Sequence, residues 1–307
     1  MLAAFLTTIL FSISVVCANR STRIIGGTEA NFWRLTCAAF FLALWAHLFG
    51  KGFSGDSFPL FFLSGIIGVG ADVFLFQSLP RLGSRLTLLL IQCFSALSAA
   101  LIEWLWLDTT LTQLQMCYGL TILVGVAIAL APGKHLNLTR PILLFGIFFS
   151  FLAGFGNGFG AVLSRKAFAV AHDAGQNIDG GTAGYQRVVG GLIVAGISLL
   201  IVKRREIANR LTNSEPPQVL PSEKWPRVWG WVLANGFAGQ TLGVACFQIA
   251  LKTTPTALVL AIVALTPLVV IPFAYVVEGE KIQARSIAGG ALAVIGAIGL
   301  VVQRHLH

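Results

Sequence analysis

Two stretches of the sequence decide the fold: GIIGVGADVFLFQ at residues 65–77 and GFAGQTLGVACFQ at residues 236–248. They lie 171 positions apart, begin with the same G-x-x-G pattern and end on the same Phe-Gln pair. The same offset aligns two further glycine pairs without a gap, namely Gly119 with Gly290 and Gly125 with Gly296. The sequence therefore predicts an internal repeat.

The composition around these stretches is that of a membrane protein. Of 307 residues, 56% are apolar and only 11% are charged, whereas a soluble domain has roughly 25% charged residues. Ten apolar stretches of membrane-spanning length follow one another. They run at 2–18, 32–49, 59–79, 85–107, 111–131, 141–163, 183–202, 227–250, 255–277 and 284–302. This pattern predicts an all-α integral membrane protein with ten transmembrane helices.

Each repeat contains five of these helices, at residues 1–131 and 141–307, within one integrated membrane domain. Because five is an odd number, two successive units must have opposite orientations in the bilayer. Inverted repeats are typical of secondary transporters, which place their binding site where the repeats meet. We therefore expect a secondary transporter that works by alternating access.

The last helix region carries a motif, Gly279-Glu280-Lys281-Ile282, which is followed by Gly289-Gly290 and Gly296. Together with Arg34 and Arg187, each early in the second helix of its repeat, this ending resembles the drug/metabolite transporter superfamily, EamA type. The resemblance implies a ten-helix permease for a small metabolite or drug-like molecule. Its members handle amino acids, sugars, nucleotide-related compounds and amphipathic cations, and the sequence does not choose among these.

Three features depart from that family pattern. The first repeat has Thr109 at the position that Glu280 occupies in the second repeat, so it lacks this Glu. It has Ala96 and Leu101 at the positions of Pro267 and Pro272, so its fourth span lacks these prolines. The resemblance also implies that both termini are cytoplasmic. The positive-inside rule indicates the opposite, because 14 Lys and Arg residues lie at the odd-numbered connections and only 5 at the even-numbered connections and the C-terminal tail.

Asp72 is the first candidate site residue, because it lies about three residues, or roughly 5 Å, from the middle of its span. An ionisable group there costs at least ~2.5 kcal/mol on insertion scales. It shares a helical face with Gly65 and Gly68, so we expect it to face protein or a water-filled cavity. It is either a site for a proton, another cation or a cationic substrate, or a structural carboxylate paired with Arg34 or Arg187.

Further candidates are polar or helix-breaking residues within spans. Arg187 precedes Gly190 and Gly191 on one helical face, which indicates an inward orientation. The substrate and coupling site is predicted to comprise Asp72, Asn157, Arg187, Gln240 and Pro267. Secondary candidates are Glu103, Arg34, Gln77, Gln248 and Pro272. Each has a structural alternative: interhelical hydrogen bonding for the amides, snorkelling for the arginines, an interfacial carboxylate for Glu103 and static kinks for the prolines.

No catalytic motif, metal-ligand spacing or nucleotide-binding loop is found, so we expect no enzyme activity, metal or cofactor. The basic residues behind the net charge of +9 lie at the ends of apolar runs rather than on one face. We therefore expect no nucleic-acid partner. The expected partners are a small-molecule substrate, the lipid bilayer and protons or another cation, with a homodimer left open. The expected location is a plasma membrane, the inner membrane in a bacterium. A lipid-processing membrane enzyme and a non-transporting scaffold are the alternatives.

Overall fold

The structure, a computed structural model, describes residues 1–53, 55–130, 140–212, 225–270 and 284–305. Within those ranges every regular element is helical. The elements in chain order are α1 (Leu2–Ile25), α2 (Gly27–Leu48), α3 (Phe58–Leu107), α4 (Gln113–Leu130), α5 (Arg140–Asp173), α6 (Gly180–Thr212), α7 (Trp225–Asn235), a π-helical segment (Gly236–Gly243), α8 (Val244–Thr253), α9 (Thr256–Val263) and α10 (Ala284–His305).

Six helices of the described chain are long and apolar enough to cross a membrane. They are Leu2–Ile25, Phe58–Leu75, Leu86–Leu107, Arg140–Asp173, Gly180–Arg204 and Trp225–Thr253. Three shorter apolar helices are Gln113–Ala129, Thr256–Val270 and Ile287–Leu300. The all-α class is thereby confirmed for the described ranges, whereas the count of ten spans stays a prediction.

The α3 element, Phe58–Leu107, folds back on itself between residues 78 and 87. The hydroxyl oxygens of Ser78 and Thr87 lie 3.2 Å apart, yet nine residues of a straight helix would separate them by about 13 Å along the axis. The element is therefore a helical hairpin. Its first arm is Phe58–Leu75 and its second arm is Leu86–Leu107, which match the predicted third and fourth spans.

Helix α5 lies between the two arms of this hairpin, because glycines of its glycine-rich run lie on opposite sides of the helix and each side contacts one arm. A Cβ atom on Gly158 would come within 2.6 Å of the Ser95 carbonyl oxygen in the second arm. One on Gly160 would lie 3.0 Å from the Ser64 carbonyl oxygen in the first arm. The close approach follows the rule that small residues form helix contacts in membranes.

Helix α1 turns its small hydroxyl residues inward and its large apolar residues outward, as a bilayer solvent favours. Thr8 and Ser12 are fully buried, whereas Leu2 is 75% exposed. The Thr8 hydroxyl donates to the Ile262 carbonyl at 3.2 Å and the Ser12 hydroxyl to the Thr266 carbonyl at 3.2 Å. Helix α1 is thereby hydrogen-bonded to the α9 region.

The two acceptor carbonyls, on Ile262 and Thr266, lie on either side of the helix interruption that Pro267 predicts. Helix α9 ends at Val263, a turn covers residues 264–265, and helical geometry resumes at 266–270. A proline cannot donate to the carbonyl four residues earlier. Here that carbonyl, on Val263, accepts the Thr266 hydroxyl at 2.7 Å. The predicted break is confirmed, and Pro272 lies outside the described residues.

Two close contacts near the middle of the bundle are reciprocal between the predicted repeats. A Cβ on Gly65 would run into the Arg187 carbonyl oxygen, and one on Gly236 would lie 2.9 Å from the Arg34 carbonyl oxygen. The 171-residue offset maps Gly65 onto Gly236, and a shorter offset of 153 positions, which applies to the second helix of each repeat, maps Arg34 onto Arg187. Equivalent residues of the two halves therefore make equivalent contacts.

The second reciprocal pair joins α4 and α10. A Cβ on Gly125 would come within 2.6 Å of the Gly289 carbonyl oxygen, and one on Gly296 would lie 3.0 Å from the Tyr118 carbonyl oxygen. The 171-residue offset maps Gly125 onto Gly296 and Tyr118 onto Gly289. The fifth and tenth predicted spans therefore pack against each other through matched positions.

Candidate functional site

The guanidinium of Arg187 is held by small residues from two other helices. Its Nη1 atom donates to the Ser64 hydroxyl at 2.6 Å, the Ser164 hydroxyl at 3.0 Å and the Gly160 carbonyl at 3.1 Å. Ser64 comes from the first arm of α3, and Gly160 and Ser164 lie one turn apart on α5. The inward orientation that the sequence indicated for Arg187 is confirmed.

The space for this guanidinium exists because Gly68 has no side chain. A Cβ on Gly68 would lie 2.7 Å from Arg187 Nη2. On another side, the Phe247 ring centroid lies 5.8 Å from the guanidinium carbon, which is a cation–π distance. The predicted glycine face of α3 thus accommodates the arginine of α6.

Gln248 extends the same hydrogen-bond network. Its Nε2 atom donates to the Ser164 hydroxyl at 3.2 Å, and the residue is fully buried. Its Oε1 atom has no hydrogen-bond partner within the described ranges. A buried acceptor of this kind is costly when unsatisfied, so Gln248 places an uncompensated polar atom beside the Arg187 network.

Asp72 lies between two arginines. Its Oδ2 atom is 3.8 Å from Arg34 Nη2, and it also interacts electrostatically with Arg187. Arg34 is oriented by Asn31, whose Oδ1 accepts from Arg34 Nε at 2.8 Å. The side chains of Arg34 and Asp72 are 22% and 26% exposed. Asp72 is thus paired with Arg34, as the structural alternative expected, and its role in binding a solute or a proton stays a prediction.

We call six residues the central cluster, because contacts or electrostatic interactions connect each to another. They are Arg34, Ser64, Asp72, Ser164, Arg187 and Gln248. With Asp72 ionised, the cluster holds two guanidinium groups against one carboxylate. This arrangement can bind a charged or zwitterionic solute, and its carboxylate can accept a proton.

Several candidates lie apart from the central cluster. Asn157 and Gln240 are half-buried, and within the described chain no hydrogen bond joins either to the cluster. Gln240 lies in the π-helical segment, a rare conformation that is frequent at functional sites. Gln77 is exposed and accepts hydrogen bonds from Arg81. Pro267 acts on the backbone of the α9 region instead of contributing a polar group.

Glu103 is not the exposed interfacial carboxylate that the sequence favours. It is 1% exposed. Its Oε1 atom accepts from the Thr256 backbone N–H at 2.8 Å and from Arg165 Nε at 2.9 Å. The discrepancy arises because the start of α9 covers this end of α3. Glu103 therefore belongs to a separate site from the central cluster.

Sequence reasoning missed Ser64, Ser164 and Arg165. Ser64 directly precedes Gly65, and the repeat offset maps it onto Asn235, another buried polar residue. Gly160 and Ser164 are four residues apart, which places two small positions on one helical face. A search for small polar residues beside paired glycines would have found both serines.

Asp179 caps the start of α6 at one end of the bundle. It accepts from the Thr182 and Gly181 backbone N–H groups at 3.0 and 2.8 Å, and from Trp45 Nε1 at 2.8 Å. Burial by itself would raise the pKa of this carboxyl. The hydrogen bonds from Thr182, Trp45 and Gly181 outweigh burial, so the pKa lies below its ordinary value.

Two cavities of the described chain lie away from the central cluster. One of about 630 Å³ is lined by Trp33, Trp225, Pro226 and Trp229. The other, of about 720 Å³, lies at the α2–α3 connection and is lined by Ala46, His47, Gly50, Lys51, Gly52 and Phe53. Neither includes a residue of the central cluster, so we do not assign either as the solute site.

In the part of the chain that the structure describes, the regular elements are helical, six of them are apolar and of membrane length, and charged residues lie among them, which indicates an integral multi-pass membrane protein. The profile of the EamA-like transporter family matches residues 1–131 and 144–302. The chain belongs to the EamA-like transporter family, and this membership indicates a membrane transporter of small molecules. The resemblance stated from the sequence is thereby confirmed.

One crystal structure of a protein superposes on 100% of this chain and 98% of its own, with a TM-score of 0.75 and 18% sequence identity. A likeness at this identity shows the fold alone. A search of curated protein sequences finds no match.

Proposed function

We propose that the chain is a ten-span secondary transporter, built from inverted repeats at residues 1–131 and 141–307, that moves a small metabolite or drug-like molecule by alternating access. The reciprocal contacts support the repeat. Gly65 packs against the backbone of Arg187, and its counterpart Gly236 packs against the backbone of Arg34, the counterpart of Arg187. Contacts that are exchanged in this way are expected of two halves related by a two-fold axis. In a membrane, two five-helix halves related by such an axis in the bilayer plane are inverted repeats.

The solute site in this proposal is the central cluster. The observation that carries it is the position of Asp72 between Arg34 and Arg187, which come from equivalent helices of the two repeats. A site between repeats is where alternating access needs a solute to bind. In this proposal the two guanidinium groups bind an anionic group of the solute.

Coupling to protons is assigned to Asp72. A carboxylate within a span is costly and is retained where it carries a function. Burial favours the protonated form and a nearby arginine favours the ionised form, so a change in the distance to Arg34 changes proton affinity. A different cation bound at Asp72 is the alternative coupling ion.

The test has two steps. A ligand-stabilisation screen on purified protein first identifies the solute, because a bound ligand raises the apparent melting temperature. Asp72→Asn is then compared with the wild type in proteoliposomes with and without a pH gradient. We expect the variant to lose gradient-driven accumulation and to keep solute exchange. The matched control is Asp56→Asn, an exposed carboxylate near Gln176.

Accumulation that is unchanged in Asp72→Asn would rule out proton coupling at this residue. Family membership favours transport over a lipid-processing enzyme or a non-transporting scaffold. A plasma membrane location, the inner membrane in a bacterium, is part of the proposal, and association into a homodimer is left to measurement.

A further inference from the structure

A carboxylate from one helix caps the start of another at one end of the bundle. Glu103 Oε1 accepts from the Thr256 backbone N–H at 2.8 Å and from the Thr256 hydroxyl at 2.7 Å. Glu103 Oε2 accepts from the Ala257 backbone N–H at 3.3 Å. The first N–H groups of a helix have no partner within it, and the helix dipole favours a negative charge there. Glu103 therefore ties the second arm of α3 to α9.

The same carboxylate joins a third helix through Arg165, whose Nε lies 2.9 Å from Glu103 Oε1. Glu103 is almost fully buried, whereas the Arg165 side chain is 24% exposed. Removing one partner of such a pair leaves an uncompensated charge. One carboxylate thus fixes α3, α5 and α9 relative to one another.

This junction is not repeated in the other half of the sequence. The 171-residue offset maps Glu103 onto Ala274, and a shorter offset of 145 positions, which applies to the first helix of each repeat, maps Arg165 onto Arg20. The arginine is present in both repeats, but the carboxylate is present in one. A device built from Glu103 therefore acts at one end of the transporter only.

We propose that Glu103, Arg165 and the Thr256–Ala257 start of α9 form a latch that closes this end of the solute pathway in the conformation described here. Opening requires the α9 start to separate from Glu103, which exposes two backbone N–H groups and one carboxylate. The latch biases the resting protein towards closure at this end. The inference rests on the proposed alternating access, in which opening at one end accompanies closure at the other.

The test is hydrogen–deuterium exchange of the full-length protein in nanodiscs, with Glu103→Gln compared with the wild type. We expect amides in the 254–260 region to exchange at least about tenfold faster, led by those of Thr256 and Ala257, whose acceptor Glu103 is weakened. Amides at the opposite end, in the 78–87 bend, should exchange more slowly because that end closes. Asp56→Asn, which removes an exposed charge from the α2–α3 connection, should change neither region.

Reciprocal changes at the two ends support the latch. Faster exchange at both ends, or at the 254–260 end alone, would overturn it and leave Glu103 as a static brace. If Glu103→Gln does not fold, Arg165→Gln removes the ion pair while it keeps the cap on α9, and the same two regions decide. The measurement needs no solute, so a failure of the transport assay is distinguished from a failure of the latch.

Discussion

Gly125 and Gly289 are in backbone contact: a Cβ on Gly125 would lie 2.6 Å from the Gly289 carbonyl oxygen, and a Cβ on Gly289 would lie 2.5 Å from the Gly125 carbonyl oxygen. Only glycine at both positions allows α4 and α10 to approach so closely. The contact holds together the ends of the two predicted repeats.

Gly125→Ala is therefore expected to destabilise the protein by about 1–3 kcal/mol, the usual cost of overpacking. Gly119→Ala on the same helix is the matched control, because a Cβ there meets nothing within 4 Å. The control should be neutral or stabilising by up to ~1 kcal/mol, since alanine is the better helix former. Thermal unfolding in detergent compares the two, and equal melting temperatures would contradict the packing argument.

The ion pair between Glu103 and Arg165 predicts strong energetic coupling. Glu103→Ala should cost about 3–5 kcal/mol, because it leaves Arg165 and the α9 N–H groups without their acceptor. In the double variant the second substitution should cost at least ~1 kcal/mol less than it does in the wild type. A double-mutant cycle on thermal or denaturant stability measures this term, and additive costs would show that the pair contributes nothing beyond its separate contacts.

The capping role of Asp179 predicts that the stability difference between the wild type and Asp179→Asn depends on pH. Its pKa is lowered in the folded protein, so the ionised cap stabilises the fold above the unfolded-state pKa of about 3.9. That contribution is lost as pH falls through the lower folded pKa. Asp179→Asn should cost less than ~1 kcal/mol at neutral pH, because Asn also caps helices and the site is partly exposed.

The difference between wild type and Asp179→Asn should be constant from pH 7 to about 5 and should vanish at the acid end of the titration. Melting temperatures across this range provide the measurement. A difference that grows as the pH falls would have the wrong sign for a depressed carboxyl pKa, and would refute the capping role.

Membrane orientation is tested by Thr110→Cys, in the exposed connection between α3 and α4. The 14-to-5 distribution of Lys and Arg predicts that this connection faces the outside. An impermeant thiol reagent should then label it in intact cells, against the unmodified protein as background for its native cysteines. Labelling only after permeabilisation would support the orientation that the family resemblance implies, with both termini in the cytoplasm.

The sequence by itself determined the membrane class and the inward glycine face of the first α3 arm, and it predicts the repeat. Composition and span length depend on the solvent that surrounds a protein. A chain that is largely apolar and has few charges is suited to the lipid bilayer. The sequence also named Arg34 and Arg187 as the candidate partners of Asp72, because they are the arginines one turn inside their spans. Asp72 followed from its depth in a span, since a charge there needs protein around it.

Only the tertiary structure decided which polar residues meet. Ser64 and Ser164 are 100 positions apart and reach Arg187 because α5 lies against the first arm of α3. Glu103 has the sequence position of an interfacial residue, and it is buried because α9 starts against it. Hydrogen-bond partners depend on how helices pack, and no local pattern records which helix covers a given residue. For that reason the spans were predictable one at a time, and the central cluster and the latch were not.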